Sequence, residues 1–271
     1  MNHLQSLATR YGMREARAIY MLIMEQRFGL TTTQVLLGKD RELSADERHE
    51  LDIITMRLLA GEPVQYVLGE CSFCGHSFHV EPGVLIPRPE TAQLVGLIVQ
   101  EAQPGLRVLD IGTGSGCIGV SLALEGMQVT AMDISPDALR IASDNAARLH
   151  ASVRFMQEDI LHPNTCTERW DIVVSNPPYI RHCEAETMDD NVLKHEPHTA
   201  LFVPDDDPLL FYRAIGHYAL EHLQAGGTLW FEINRDFPQQ TCRLLEDMGY
   251  TNVQAMQDTY GNYRFVKATR P

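Results

Sequence analysis

From Arg107 to the end of the chain, short apolar runs alternate with stretches of helical periodicity, and few folds satisfy that alternation. "RVLDI", "QVTAMDI", "VRFMQ", "DIVVS" and "TLWFEI" are strand-length and rich in β-branched and aromatic residues. "CIGVSLALEG" and "SPDALRIASDNAARLH" carry helical spacing between them. Strands joined through helices run parallel, so the pattern predicts an α/β fold built on a doubly wound parallel sheet. "GYTNVQAMQDTYGNYRFVKA" departs from it and predicts two closing strands with a tight turn at "YGNY".

The upstream region has a different grammar. "MREARAIYMLIMEQRFGL" is apolar along one side and stops at Gly29. "SADERHELDIITMRLLAGEP" opens with a capping box, Ser44 with Glu47, and Leu51, Ile54, Leu58 and Leu59 recur at helical spacing until Gly61 and Pro63 end it. Residues 65–91, "QYVLGECSFCGHSFHVEPGVLIPRPET", predict a hairpin followed by an extended segment. The expected division is a helical domain over 1–80, with a hairpin linker beginning near 65, and a sheet domain over 81–271.

The loop between the first strand and first helix of that sheet, "VLDIGTGSGCIG", holds Gly112, Gly114 and Gly116, which let the backbone turn sharply beside a ligand. It lacks the Gly-Lys-Ser/Thr ending of a phosphate loop, and counted from Gly112 the dinucleotide spacing fails at Cys117. The pattern is D-x-G-x-G-x-G with Asp110 at the strand end. A carboxylate there suits an ammonium group better than a pyrophosphate, which points to S-adenosylmethionine. Asp133 ends the second strand, where an acid accepts from both ribose hydroxyls; it also stands near a helix start, although Ser135 fits the cap better. Asp159 ends the third strand. It can accept from an adenine amino group with Ile160 against the ring, and a plain loop acid explains it nearly as well.

The fourth strand runs into "SNPPY". Pro177 forces Asn176 out of the helical region, and Pro178 does the same to Pro177. The segment is held extended, so the Asn176 side chain and the Pro177 carbonyl can face one ligand. Both are acceptors and together fit an –NH2 group with two N–H donors. Such a nitrogen is a poor nucleophile because its lone pair is delocalised, and two fixed acceptors aim it at a methyl sulfonium. Tyr179 can stack on a flat substrate group.

Composition narrows the partners. A net charge of −14 over 271 residues argues against a main role gripping nucleic acid phosphates. The longest early apolar run, "AIYMLIM", is too short to span a bilayer and no signal peptide is visible, so a cytoplasmic protein without a membrane partner is expected. The six scattered cysteines are expected as thiols. Cys71, Cys74, His76 and His79 crowd into nine residues of a hairpin, where neighbours point to opposite faces, so no metal is expected. "DDD" at 205–207 is expected to be a solvated loop.

"SNPPY" after this glycine loop resembles amino-methyltransferases that act on planar –NH2 groups, among them adenine-N6 DNA methyltransferases and glutamine methyltransferases. "PVQYVLGECSFCGHSFHVEPGVLIPRPET", the helical start and "EPHTALF" (196–202) extend the resemblance over essentially the whole chain to the release-factor glutamine methyltransferases, the HemK/PrmC family. The resemblance implies a Rossmann-like seven-stranded S-adenosylmethionine-dependent methyltransferase domain, with a small N-terminal helical bundle that recognises a peptide-chain release factor. The methyl acceptor it implies is the side-chain amide nitrogen of the glutamine in a Gly-Gly-Gln motif. The expected cofactor-binding residues are Asp110, Ile111, Gly112, Thr113, Gly114, Ser115, Gly116, Asp133, Ile134, Asp159, Ile160 and Asn176. The expected catalytic and substrate-binding residues are Asn176, Pro177, Pro178 and Tyr179, with Pro87, Arg88 and Thr91 beside them. Ala92 stands where the family often has Glu, and Asn234 in "FEIN" where it usually has Gly; neither is expected to touch the chemical centre. A monomer is expected, without direct nucleic acid contact. The rivals are an adenine-N6 methyltransferase, which needs a basic target-recognition region absent here, and a non-catalytic adaptor, which has no use for an intact "NPPY".

Overall fold

A computed structural model describes residues 3–271 as two compact units, one running to Glu70 and including Asp189–His195, the other Cys71–Met188 with Glu196–Pro271. The smaller unit is helical. Its first helix, His3–Phe28, is interrupted at Gly12, whose φ of 73° and ψ of 159° a residue with a β-carbon rarely adopts. The helices Thr32–Leu36 and Ala45–Leu59 each begin with a capping box, Thr31 with Gln34 and Ser44 with Glu47. Leu7, Ile19, Ile23, Met24, Leu51, Ile54 and Leu58 close the core between them.

The larger unit opens with a hairpin, β1 (Glu70–Phe73) and β2 (His76–His79). Then follow β3 (Arg107–Ile111), β4 (Gln128–Asp133), β5 (Val153–Gln157) and β6 (Trp170–Ser175). A short pair, β7 (Ile180–Arg181) and β8 (Phe202–Val203), precedes β9 (Leu223–Glu232), β10 (Thr251–Gln257) and β11 (Tyr263–Thr269). Seven strands form one sheet in the order β10-β11-β9-β6-β3-β4-β5, parallel except where β11 pairs antiparallel with β9 and β10. The Rossmann-like seven-stranded expectation holds.

Successive residues of the central strands serve two cores, as a sheet covered on both faces requires. Val108, Ile172, Val174 and Trp230 face one layer with Leu94 and Ile98, while Leu109, Val173 and Phe231 face the other with Tyr212 and Ile215. The chain order reverses between β3 and β6, which makes their carboxyl ends the switch point. Register sharpens that location. Ile111 lies opposite both Met132 and Ser175, and Ser175 lies opposite Phe231. The next residue on each strand, Gly112, Asp133, Asn176 and Glu232, therefore forms one row along the sheet's carboxyl edge.

Three boundaries differ from the sequence reading. Residues 64–68 form a short helix, so the hairpin begins at Glu70 and not near 65. Residues 71–80 group with the sheet unit, because Phe73 and Phe78 meet edge to face at 5.8 Å within its core. Pro89, Glu90 and Thr91 are helical, not extended: Arg88 caps the helix Pro89–Glu101 with extended backbone, and Pro89 takes the first helical position. Among the described residues, no helix is long and apolar enough to cross a membrane.

Candidate active site

The glycine loop commits four of its N–H groups within the protein, three of them to the end of β4. Gly112 and Thr113 donate to the Met132 carbonyl at 2.8 and 3.0 Å, Gly116 to the Thr113 carbonyl at 2.8 Å, and Gly114 to Asp133 Oδ2 at 2.9 Å. A loop built to cradle phosphate leaves such groups pointing outward; this one has four of them already bonded. It presents acids. Gly112 (φ 71°) and Gly114 (φ 55°) would meet nothing within 4 Å if given a β-carbon, so they border open space, whereas one on Gly116 would press on Ala142 at 3.0 Å.

Asp110 is fully buried and holds the loop from below, its Oδ2 accepting from Thr113 Oγ1 at 2.6 Å and from the Gly119 N–H at 2.9 Å. Burial pushes its pKa up to about 7 against those two hydrogen bonds. Its Oδ1 and the Ser115 hydroxyl are buried without a protein partner. Asp133 is half-buried, with Oδ2 on Gly114 and Oδ1 on the Ser135 N–H at 2.9 Å. Each of its oxygens retains capacity for another donor. Ser135 caps the next helix, accepting from Ala138 at 3.2 Å, which leaves Asp133 free of that duty. Ile134 beside it is 59% exposed, a large apolar surface at the rim. Asp159 turns inward on its own loop: Oδ1 accepts from the Leu161 N–H and Oδ2 lies 2.9 Å from His162 Nδ1, which lowers its pKa. Ile160 packs at the edge of the second core.

An open-sided loop with paired carboxylates, an orphaned buried oxygen and no spare N–H row fits a ligand that carries an ammonium and a ribose diol but no phosphate. S-adenosylmethionine has that donor set.

"SNPPY" meets this loop directly. Ser175 Oγ donates to the Ile111 carbonyl at 2.7 Å, so Asn176 emerges beside Gly112. Asn176 Nδ2 donates to Thr91 Oγ1 at 3.2 Å. Thr91 Oγ1 donates to Glu232 Oε2 at 2.7 Å, and the Tyr179 hydroxyl donates to Glu232 Oε1 at 3.1 Å. Burial raises the Tyr179 and Glu232 pKa values. Pro177 is buried and Pro178 half-buried. The Tyr179 ring, expected to stack on substrate, is anchored by its hydroxyl and packs at the edge of the core.

Asn234 corrects the expectation that it lies away from the chemical centre: its Nδ2 donates to the Tyr179 carbonyl at 3.0 Å. Pro87 is buried, and Arg88 forms an ion pair with the buried Glu196, whose other oxygen accepts from the Ile86 N–H at 3.0 Å. Thr91 is 2% exposed and sits beneath Asn176 rather than on the surface of the site. Three residues that sequence reasoning gave no role, Glu196, Glu232 and Asn145, turn out to position these segments. Asn145 accepts from the His79 N–H at 2.7 Å and donates to the His79 and Ser115 carbonyls, both at 2.9 Å. A buried acid ending the strand run "TLWFEI" was the one available signal for Glu232. Among the described residues, no group of three His, Cys, Asp or Glu stands together as metal ligands; Cys71 is buried and Cys74 exposed.

Comparison with known proteins matches residues 90–197 to the methyltransferase small domain family and residues 3–69 to the PrmC N-terminal domain. A Bacteroides thetaiotaomicron protein named release factor glutamine methyltransferase is 46% identical over 269 residues, covering 98% of this chain and 97% of its own. A Flavobacterium psychrophilum protein of the same name is 39% identical, covering 97% and 95%. Among solved structures, a methyltransferase from Pyrococcus furiosus superposes with a TM-score of 0.55 at 17% identity, over 79% of this chain and 96% of that one. The Thermus thermophilus 16S rRNA N2 G1207 methyltransferase, solved with AdoMet and guanosine, gives 0.56 at 20% identity over 74% and 50%. At those identities the structures speak for the shared fold.

Proposed function

Because the chain belongs to the release factor glutamine methyltransferases, we propose that it methylates the side-chain amide nitrogen of the glutamine in the Gly-Gly-Gln motif of peptide-chain release factors. S-adenosylmethionine supplies the electrophilic methyl. The observation that carries the reading is the register between β3 and β6, which sets the Asn176 acceptor beside the glycine loop. Asn176 Oδ1 and the Pro177 carbonyl accept the two N–H groups of the amide and orient its nitrogen. Fixed acceptors favour the transition state, where the nitrogen becomes more tetrahedral and its protons more acidic. Asp133 would hold the ribose diol, Ile160 would lie against the flat ring with Ile134 exposed at the rim, and Asp110 with the loop would fix the cofactor's amino acid end. The helical unit recognises the release factor, and the protein works as a cytoplasmic monomer without direct nucleic acid contact.

The test is incubation of the purified protein with methyl-labelled S-adenosylmethionine and a release factor, followed by peptide mapping. Label on the Gly-Gly-Gln glutamine is expected. Label on adenine in added DNA, with the release factor untouched, overturns the substrate assignment.

A further inference from the structure

We propose that Thr91 and Glu232 act as positioning residues that fix which end of the Asn176 side-chain amide meets the substrate. The inference rests on the acceptor role given to Asn176 above. An asparagine amide is nearly symmetric in shape, so sterics alone do not choose whether oxygen or nitrogen faces outward. The choice decides function: oxygen outward accepts from a glutamine –NH2, while nitrogen outward sets donor against donor.

The hydrogen-bond chain makes the choice. A threonine hydroxyl has one proton to give. Glu232 as a carboxylate only accepts, so at 2.7 Å it commits the Thr91 proton to its Oε2. Thr91 Oγ1 then has only lone pairs left for Asn176, and only the Nδ2 end can bond to it, as it does at 3.2 Å. A flipped amide would set two acceptors against each other. Water has little chance to relieve that conflict, because Thr91 is 2% and Glu232 1% exposed.

Glu232 secures the segment twice. Its Oε1 takes the Tyr179 hydroxyl at 3.1 Å, so one carboxylate reaches both ends of "NPPY". The relay requires that carboxylate to be ionised, since a protonated Glu232 could donate to Thr91 and release the hydroxyl proton toward the asparagine oxygen. Burial raises the Glu232 pKa, and the Thr91 and Tyr179 hydroxyls together with the charge of Arg264 act against it, while Glu90 adds to it.

Two measurements test the relay. The first is kinetic. Thr91→Val keeps the side-chain shape and removes the hydroxyl; Thr91→Ser keeps the hydroxyl. Thr91→Val is expected to lower kcat/KM for release factor ~100-fold, in the range seen for loss of one preorganised polar contact. It should also narrow the binding preference for a release factor carrying the target glutamine over one carrying glutamate, because a freed amide can offer its –NH2 to a carboxylate. Cofactor affinity should stay within about twofold, since the loop and Asp133 are untouched. Thr91→Ser should restore both rate and preference. A Thr91→Val enzyme with wild-type rate and preference, or a Thr91→Ser enzyme as impaired as Thr91→Val, overturns the proposal.

The second is neutron diffraction from wild-type crystals, which distinguishes amide oxygen from nitrogen and needs neither turnover nor a stable variant. Asn176 nitrogen facing Thr91 is the expected result, and oxygen facing Thr91 sinks the relay. This readout also separates the two proposals: it stands or falls whether or not the wild-type protein methylates release factor.

Discussion

Asp133 already accepts one backbone N–H on each oxygen, from Gly114 and Ser135, and each oxygen keeps a lone pair for a further donor. Replacing it by alanine leaves two backbone N–H groups, and the ribose diol of the proposed cofactor, short of partners. Asp133→Ala is expected to weaken S-adenosylmethionine binding by ~1–3 kcal/mol, the usual cost of an unmet buried polar group. Calorimetry showing wild-type affinity would remove Asp133 from the site. At this scale the sequence was informative wherever the chemistry is local. Gly112, Gly114, Asn176 and Pro177 lie in short runs whose residue types announce special backbone. Glu232, Glu196 and Asn145 were not legible, because each works on a partner far along the chain, and a buried polar residue carries no mark of what it will meet.

Elements, by contrast, were legible wherever hydrophobic periodicity was clean. β3 to β6 and the capping box at Ser44 follow the expected lines. The helix Pro89–Glu101 was hidden by its own start, since "IPRPET" carries two prolines that argue for extended chain until one of them takes the first helical position. The helices Leu210–His222 and Pro238–Asp247 were likewise not singled out. The helix Pro136–Arg148 has a task beyond packing: through Asn145 it ties β2 to the glycine loop at Ser115. Asn145→Leu takes the partner from three backbone groups, the buried Ser115 carbonyl and the part-buried N–H and carbonyl of His79. It is expected to lower unfolding free energy by about 2–4 kcal/mol, from ~1–3 kcal/mol per unmet group with partial relaxation, and to loosen cofactor binding as Ser115 shifts. Urea denaturation with an unchanged midpoint would show that the tie bears no weight.

For the whole molecule, the division at Glu70 and Cys71 suggests where to cut. A chain beginning at Cys71 keeps the sheet, every residue of the candidate site and the hairpin apart from Glu70. It should bind S-adenosylmethionine with near wild-type affinity and lose most of its kcat/KM toward release factor, if residues up to Glu70 supply the docking surface. Equal kcat/KM for the cut and full chains would rule out that role for the helical unit. Glu232 also has a temporal meaning. It draws together Thr91, 141 positions earlier, and Tyr179, 53 positions earlier. Contacts that span so much chain close late, after the loops between them have lost their freedom. During synthesis the glycine loop and Asn176 leave the ribosome well before β9 does, so a nascent chain can have the glycine loop in place while the segment around Asn176 is still slack. A nascent chain therefore cannot fix the segment around Asn176 through Glu232 until β9 has been made.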